Sequence, residues 1–221
     1  MTTRDSALVI TQQIDPQGRT AKNGRPAWLT GFITTRGKKT FPLDCYVEVE
    51  CEFDTSTPGN WWAPWWSRLV PGGADGEERD FEWFGNRPDR FRFGYHVNGD
   101  GDAPLNYNVD SRIFGRSNDV VVANPGARHR YAWWTRKDPA HPGSRLHTRY
   151  ADGKQMMHLS TWEMAQKGYP SDAVLNQPGA ALDFAICGQA ESTAEAGMLF
   201  RPGEKGPYEM KVHWIAVSVP A

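Results

Sequence analysis

Short runs rich in β-branched and aromatic residues recur along almost the whole chain, and turns carrying Gly or Pro separate most of them. "SALVITQQI", "TGFITT", "DCYVEVECEF", "RFRFGYHV", "DVVVA", "RYAWWT", "RLHTRYA", "ALDFAIC" and "MKVHWIAVSV" often alternate with period two, the mark of a strand with two unlike faces. Between them stand "NGRPA", "TPGN", "PGGADG", "NGDGDAP", "NPGA", "HPGS" and "RPGEKGP", which set turns. Only "STWEMAQKG" reads as a helix, with Ser160 as N-cap and Glu163 three residues on, in capping-box spacing. Many strands with turn signals between them predict an all-β chain, a two-sheet β-sandwich of jelly-roll type. No repeat or linker divides the sequence, so residues 1–221 read as a single domain long enough to bury a substantial core.

Charge and composition narrow the partners. Lys plus Arg number 25 against 26 acids, a balance that points to neither nucleic acid nor an anionic membrane. No apolar run approaches the roughly 20 residues of a membrane span, and "MTTRDSALVI" lacks the pattern of a secretory signal. Cys45, Cys51 and Cys187 show no metal spacing and no disulfide framework, and read as small core residues. The 10 tryptophans stand out: they suit either a large aromatic core or a surface that stacks on sugar rings.

The stretch "GEERDFEWFG" sharpens that choice. Residues i, i+2 and i+4 of a strand face one side, so Glu78, Asp80 and Glu82 form a row while Arg79, Phe81 and Trp83 face the other way. At about 3.3 Å per residue the outer two Cα atoms are about 13 Å apart, and side chains leaning together leave about 5 Å between carboxyl groups. Two carboxyls at about 5–5.5 Å are what a retaining glycosidase uses, one as nucleophile and one as acid/base. Three adjacent acids cannot all ionise at one pH, so the row is expected to split into a low-pKa nucleophile and a raised-pKa acid. The bland alternative is a solvated acidic strand face, against which stands the repulsion of like charges side by side.

"ERDFEWFG" resembles the Glu-x-Asp-x-Glu signature of glycoside hydrolase family 16. Other segments resemble that family in order: "LVIT", "TGFITTRGKKTFPLDCYVEVECEF", "GNWWAPWW", "HRYAWWT", "TRYADGKQM", "LNQPGAALDFAICG" and "YEMKVHWIAVSV". The resemblance implies a jelly roll with a concave glycan cleft, with Glu78 as nucleophile, Glu82 as acid/base and Asp80 tuning the pair. It implies that His96 and Asn98 in "YHVNG" meet sugar hydroxyls, with a structural role for His96 equally open. Trp62 and Trp66 match the family's aromatic stretch and share one parity; they either stack on sugars or pack between the sheets. Trp133 and Trp134 point to opposite sides of a strand, and Trp134 is expected in the cleft. No cofactor is required, a structural calcium ion is admitted, and the partner implied is a polysaccharide.

Three departures qualify the match. Arg79 holds a core-facing position where the family has an apolar residue, "ICGQ" has no aromatic, and the chain starts where the family is already one or two strands in. The function expected is endo-acting, retaining cleavage of a β-glucan or galactan, with transglycosylation open. The alternative is a non-catalytic, lectin-like jelly roll, and a polysaccharide lyase is disfavoured. Action outside the cell or on a virion is expected, although no export signal is visible. "VPGGADGEE", "NGDGDAPLNYN" and "TRKDPAHPGSR" are the loops expected to wall the cleft.

Overall fold

The computed structural model describes residues 2–20, 24, 26–55, 62–70, 77–84, 90–97, 107–108, 119–124, 126–166, 180–187 and 206–220. For 62–70, 77–84, 90–97, 107–108 and 119–120, and at 3, 28 and 187, it describes backbone path and pairing alone.

Along the chain the strands are β1 (Thr2–Arg4), β2 (Ala7–Ile14), β3 (Trp28–Thr30), β4 (Phe32–Thr34), β5 (Phe41–Pro42), β6 (Cys45–Phe53), β7 (Trp62–Val70), β8 (Glu77–Phe84) and β9 (Arg90–Val97). They continue as β10 (Tyr107–Asn108), β11 (Asp119–Val121), β12 (His129–Lys137), β13 (Arg145–Ala151), β14 (Lys154–Ser160), β15 (Ala181–Cys187) and β16 (Tyr208–Ser218). Among the described residues one helix, α1 (Thr161–Gln166), follows β14 where the sequence predicts it. Its expected cap, Ser160, donates its hydroxyl to Asp138 Oδ2 at 3.0 Å, while Thr161 Oγ1 accepts the Arg145 N–H at 2.8 Å.

All strand pairs among the described residues are antiparallel and form two sheets. The first runs β1-β2-β16-β6-β12-β13-β14, with β3 paired to β2. The second runs β10-β9-β8-β7-β15-β4, with β11 beside β9 and β5 beside β15. The all-β, two-sheet sandwich read from the sequence is thus the observed fold.

Strict alternation explains how the sheets pack. On β6, Cys45, Val47, Val49, Cys51 and Phe53 are buried while Tyr46, Glu48, Glu50 and Glu52 are partly exposed. The buried set joins Ile10, Tyr131, Trp133, Met210 and Val212 of the first sheet to Leu182, Phe184 and Ile186 of the second in one apolar cluster. Trp133 reaches across to Phe184, ring centroids 5.4 Å apart, and Phe184 meets Phe41 at 5.0 Å. Cys45 and Cys51 are buried thiols, and burial pushes the Cys51 thiol well up.

Turn chemistry closes the hairpins. Ala151 pairs with Lys154, leaving Asp152 and Gly153 as a two-residue loop with φ of 48° and 77°. Positive φ at both positions is the condition for a type I′ turn, which Asp-Gly meets at little cost.

Candidate active site

The acid row sits in the middle of the second sheet. β8 is paired on one side to β7, in unbroken register from Trp62↔Phe84 to Arg68↔Glu78. On the other it is paired to β9, from Glu77↔Val97 to Trp83↔Phe91. Glu78, Asp80 and Glu82 therefore hold alternate positions of one continuous strand, which is the condition for a common face.

Which face follows from β15. Leu182, Phe184 and Ile186 belong to the inter-sheet core, so Asp183 and Ala185 stand on the opposite side. Directly opposed residues share a face. Phe184 is opposite Ser67, which is opposite Arg79; Ile186 is opposite Trp65, which is opposite Phe81. The positions of Arg79, Phe81 and Trp83 are thus of core parity. Ala185 is opposite Trp66 and Trp66 opposite Asp80, so the acid row occupies the face turned away from the other sheet.

The remaining sequence candidates can be placed on this frame. Trp62 and Trp66 hold positions of the acid-row parity, four residues apart on β7. His96 lies on β9 directly opposite Glu78. Asn98 falls outside the described residues, as do most of "VPGGADGEE" and "NGDGDAPLNYN".

Trp134 requires a correction. It lies on β12, in the first sheet, where Trp133 is fully buried and fills the core. Since β12 has its inner side on the core, Trp134 is on the outer surface of that sheet, stacked under the Arg136 guanidinium at 4.3 Å. The reasoning that chain neighbours face opposite sides holds; the strand belongs to the first sheet, whereas Glu78, Asp80 and Glu82 are on the second, so the far side of Trp133 is not the face that bears that row.

Two further residues were missed. Arg68 is opposite Glu78 on β7, and Arg92 is opposite Glu82 on β9. Nothing in one sequence fixes which residue of β7 or β9 stands beside which acid, because register depends on the lengths and turns of the connections.

One serine–histidine–aspartate grouping lies elsewhere. His141 Nδ1 and Ser160 Oγ both bond Asp138 Oδ2, at 2.9 and 3.0 Å. The imidazole is not interposed between hydroxyl and carboxylate, so this is not a nucleophile–base–orienter chain. It ties the "TRKDPAHPGSR" loop to α1, where His141 stacks on Trp162 at 4.1 Å. Among the described residues, no group of three His, Cys, Asp or Glu side chains is arranged to hold a metal.

Comparison with solved structures bears on the fold. The laminarinase catalytic domain of Thermotoga maritima matches all of this chain over 80% of its own, with TM-score 0.71 and 16% identity. A β-agarase A in complex with oligoagarose matches 99% of this chain and 75% of its own, with TM-score 0.63 and 16% identity. A Bacteroides ovatus mixed-linkage-glucan PUL GH16 protein, in complex with a G4G4G3G product, matches 99% of this chain and 84% of its own, with TM-score 0.61 and 15% identity. No protein-family model and no curated protein matches the sequence. The chain has the jelly-roll fold that these glycoside hydrolases have, at an identity that speaks for fold alone.

Proposed function

We propose that the protein is an endo-acting retaining glycosidase that cleaves internal bonds of a β-glucan or galactan. The observation that carries this reading is the unbroken register of β8, with three acids at alternate positions on the face away from the core. The jelly-roll fold shared with a laminarinase and a β-agarase supports it. A lectin has no use for such a row, whose like charges repel at no gain to binding.

The chemistry follows from two carboxyl groups in opposite protonation states. Glu78 attacks the anomeric carbon, and the bond to the glycosidic oxygen breaks as Glu82 transfers its proton to that oxygen. Water then replaces the sugar on Glu78, giving its proton to Glu82 and restoring both groups. A sugar hydroxyl in place of water makes the same site a transglycosylase. Asp80, between them, holds the two pKa values apart. Trp62 and Trp66 offer rings along the cleft, and His96 a hydrogen bond beside the nucleophile. A polysaccharide substrate would place the site of action outside the cell or on a virion.

The test is reducing-end release from a panel of β-glucans and galactans, with no rise in absorbance from an unsaturated sugar. Glu78→Gln is expected to lower kcat by about 10³-fold or more while binding survives. Azide added to Glu78→Ala should form a glycosyl azide of inverted configuration. Glu82→Gln should lose least on aryl glycosides whose leaving group needs no proton. Glycan binding without cleavage would establish the lectin reading, and full activity in all three of Glu78→Gln, Asp80→Asn and Glu82→Gln would end the glycosidase one.

A further inference from the structure

We propose that Arg68, placed by strand register between the buried Asp183 and Glu78, is the positioning residue that keeps the nucleophile ionised. The inference rests on the reading of Glu78 as nucleophile and adds a residue to it. One line of register partners crosses the second sheet at that position: Asn108 on β10, His96 on β9, Glu78 on β8, Arg68 on β7 and Asp183 on β15. Arg68 is the member with an acid directly opposite on both sides.

Asp183 makes that arrangement purposeful. It is 3% exposed, on the side of β15 away from the core, between the core residues Leu182 and Phe184. A carboxylate so buried is costly unless a cation is paired with it. Directly opposed residues of an antiparallel pair have Cβ atoms about 4.5–5.5 Å apart, within reach of an aspartate and an arginine. A guanidinium presents five N–H donors in a fixed fork, so one Arg can serve two carboxylates, and it stays charged at every working pH. Its register position between Asp183 and Glu78 makes it a fixed positive charge flanked by two acids.

The consequence has a definite sign. A positive charge within about 4–6 Å favours the carboxylate form and lowers its pKa. Other ionisable register neighbours of Glu78 are Asp80, two positions along its own strand and raising its pKa, and His96 opposite, which favours the anion only while protonated. Arg68 is the neighbour whose favourable charge does not vanish above neutral pH. At the other end of the row, Arg92 is opposite Glu82 and Asp119 opposite Arg92. Each glutamate thus has its own arginine, and their effects are separable.

The experiment is the pH profile of kcat/KM on a polysaccharide the parent cleaves. Arg68→Met is expected to move the acidic limb, set by ionisation of Glu78, upward by about one pH unit and to lower kcat/KM about tenfold near its acid edge. Arg68→Lys restores most of the limb, and Arg92→Met leaves the acidic limb in place. Repeating the Arg68 comparison in a His96→Gln background assigns the limb to the carboxylate and not the imidazole. Asp183→Asn should reproduce the shift in part, by releasing the guanidinium, and its far-ultraviolet spectrum checks that the sheet is intact. An unmoved acidic limb in a folded Arg68→Met overturns the inference. Wild-type turnover in Glu78→Gln instead overturns the reading beneath it, whatever Arg68→Met does.

Discussion

Trp133 and Trp134 share a chemistry and a peptide bond, yet their environments differ completely. Trp133 is fully buried against Phe184, and the Arg149 guanidinium lies 5.5 Å from its ring centre. Trp133→Ala removes a core side chain that a rigid sandwich cannot collapse to replace, and should cost about 3–5 kcal/mol in denaturant unfolding. Trp134→Ala on the outer face should cost distinctly less and leave polysaccharide affinity unchanged; a matching loss of affinity would return it to the cleft. At this scale the sequence was legible where parity alone decides. The row of Glu78, Asp80 and Glu82, and the opposite parity of Trp133 and Trp134, follow from period two. Which sheet Trp134 looks out from, and which arginine stands beside which acid, depend on strand order and register, to which a single strand's pattern is blind.

Elements carry their own consequences, and the β13–β14 hairpin is the clearest. Its turn residue Asp152 accepts the Arg130 N–H at 2.9 Å and meets His129 Nδ1 at 2.7 Å, while His129 Nε2 lies 2.9 Å from the Asn124 carbonyl oxygen. A carbonyl and a carboxylate only accept, so both ring nitrogens must donate and the imidazolium is the form that satisfies both bonds. Burial works against the charged ring, but the Asn124 carbonyl and Asp152 outweigh it and hold the His129 pKa above its ordinary value. Burial likewise raises Asp152, and the Arg130 N–H and His129 outweigh it to hold the carboxyl below its ordinary value. A raised histidine pKa contributes stability that is complete below the unfolded value near 6.5 and is lost as pH rises through the folded one. The lowered Asp152 contributes above about pH 3.9 and fades as pH falls through its folded pKa. The latch is therefore strongest between about pH 4 and 6.5. Asp152→Asn keeps the turn and the bond from Arg130 but removes the charge, so the fall in Tm between about pH 6 and 8 should flatten relative to the parent. Parallel Tm curves for parent and variant would show that the pair adds nothing. Many of the strands and the described helix were readable from alternation and turn residues; β14 was not, and neither were the register shifts at Arg149/Tyr150 and Val212/Trp214, since a bulge is one extra residue without a residue type of its own.

On the scale of the whole molecule, the second sheet carries two different loads on its two faces. Phe184 and Ile186 hold it to the first sheet, while the opposite face bears Asp183 and the positions of Arg68 and the acid row. Buried residues of both sheets belong to one cluster, so neither sheet keeps its apolar side covered if the other is lost. Phe184→Ala, which removes ring contacts to both Trp133 and Phe41, should cost about 3–5 kcal/mol. Unfolding should nevertheless stay a single transition, with the denaturant midpoint from tryptophan fluorescence coinciding with that from far-ultraviolet circular dichroism. The slope against denaturant should match the parent, because the surface exposed on unfolding is nearly the same. Substrate KM, measured well below the midpoint, should barely move, since the substitution lies on the face turned away from the acids. Two separated transitions would mean that the sheets are stabilised independently, and a KM that rises in step with lost stability would mean that the cleft is shaped by the core beneath it.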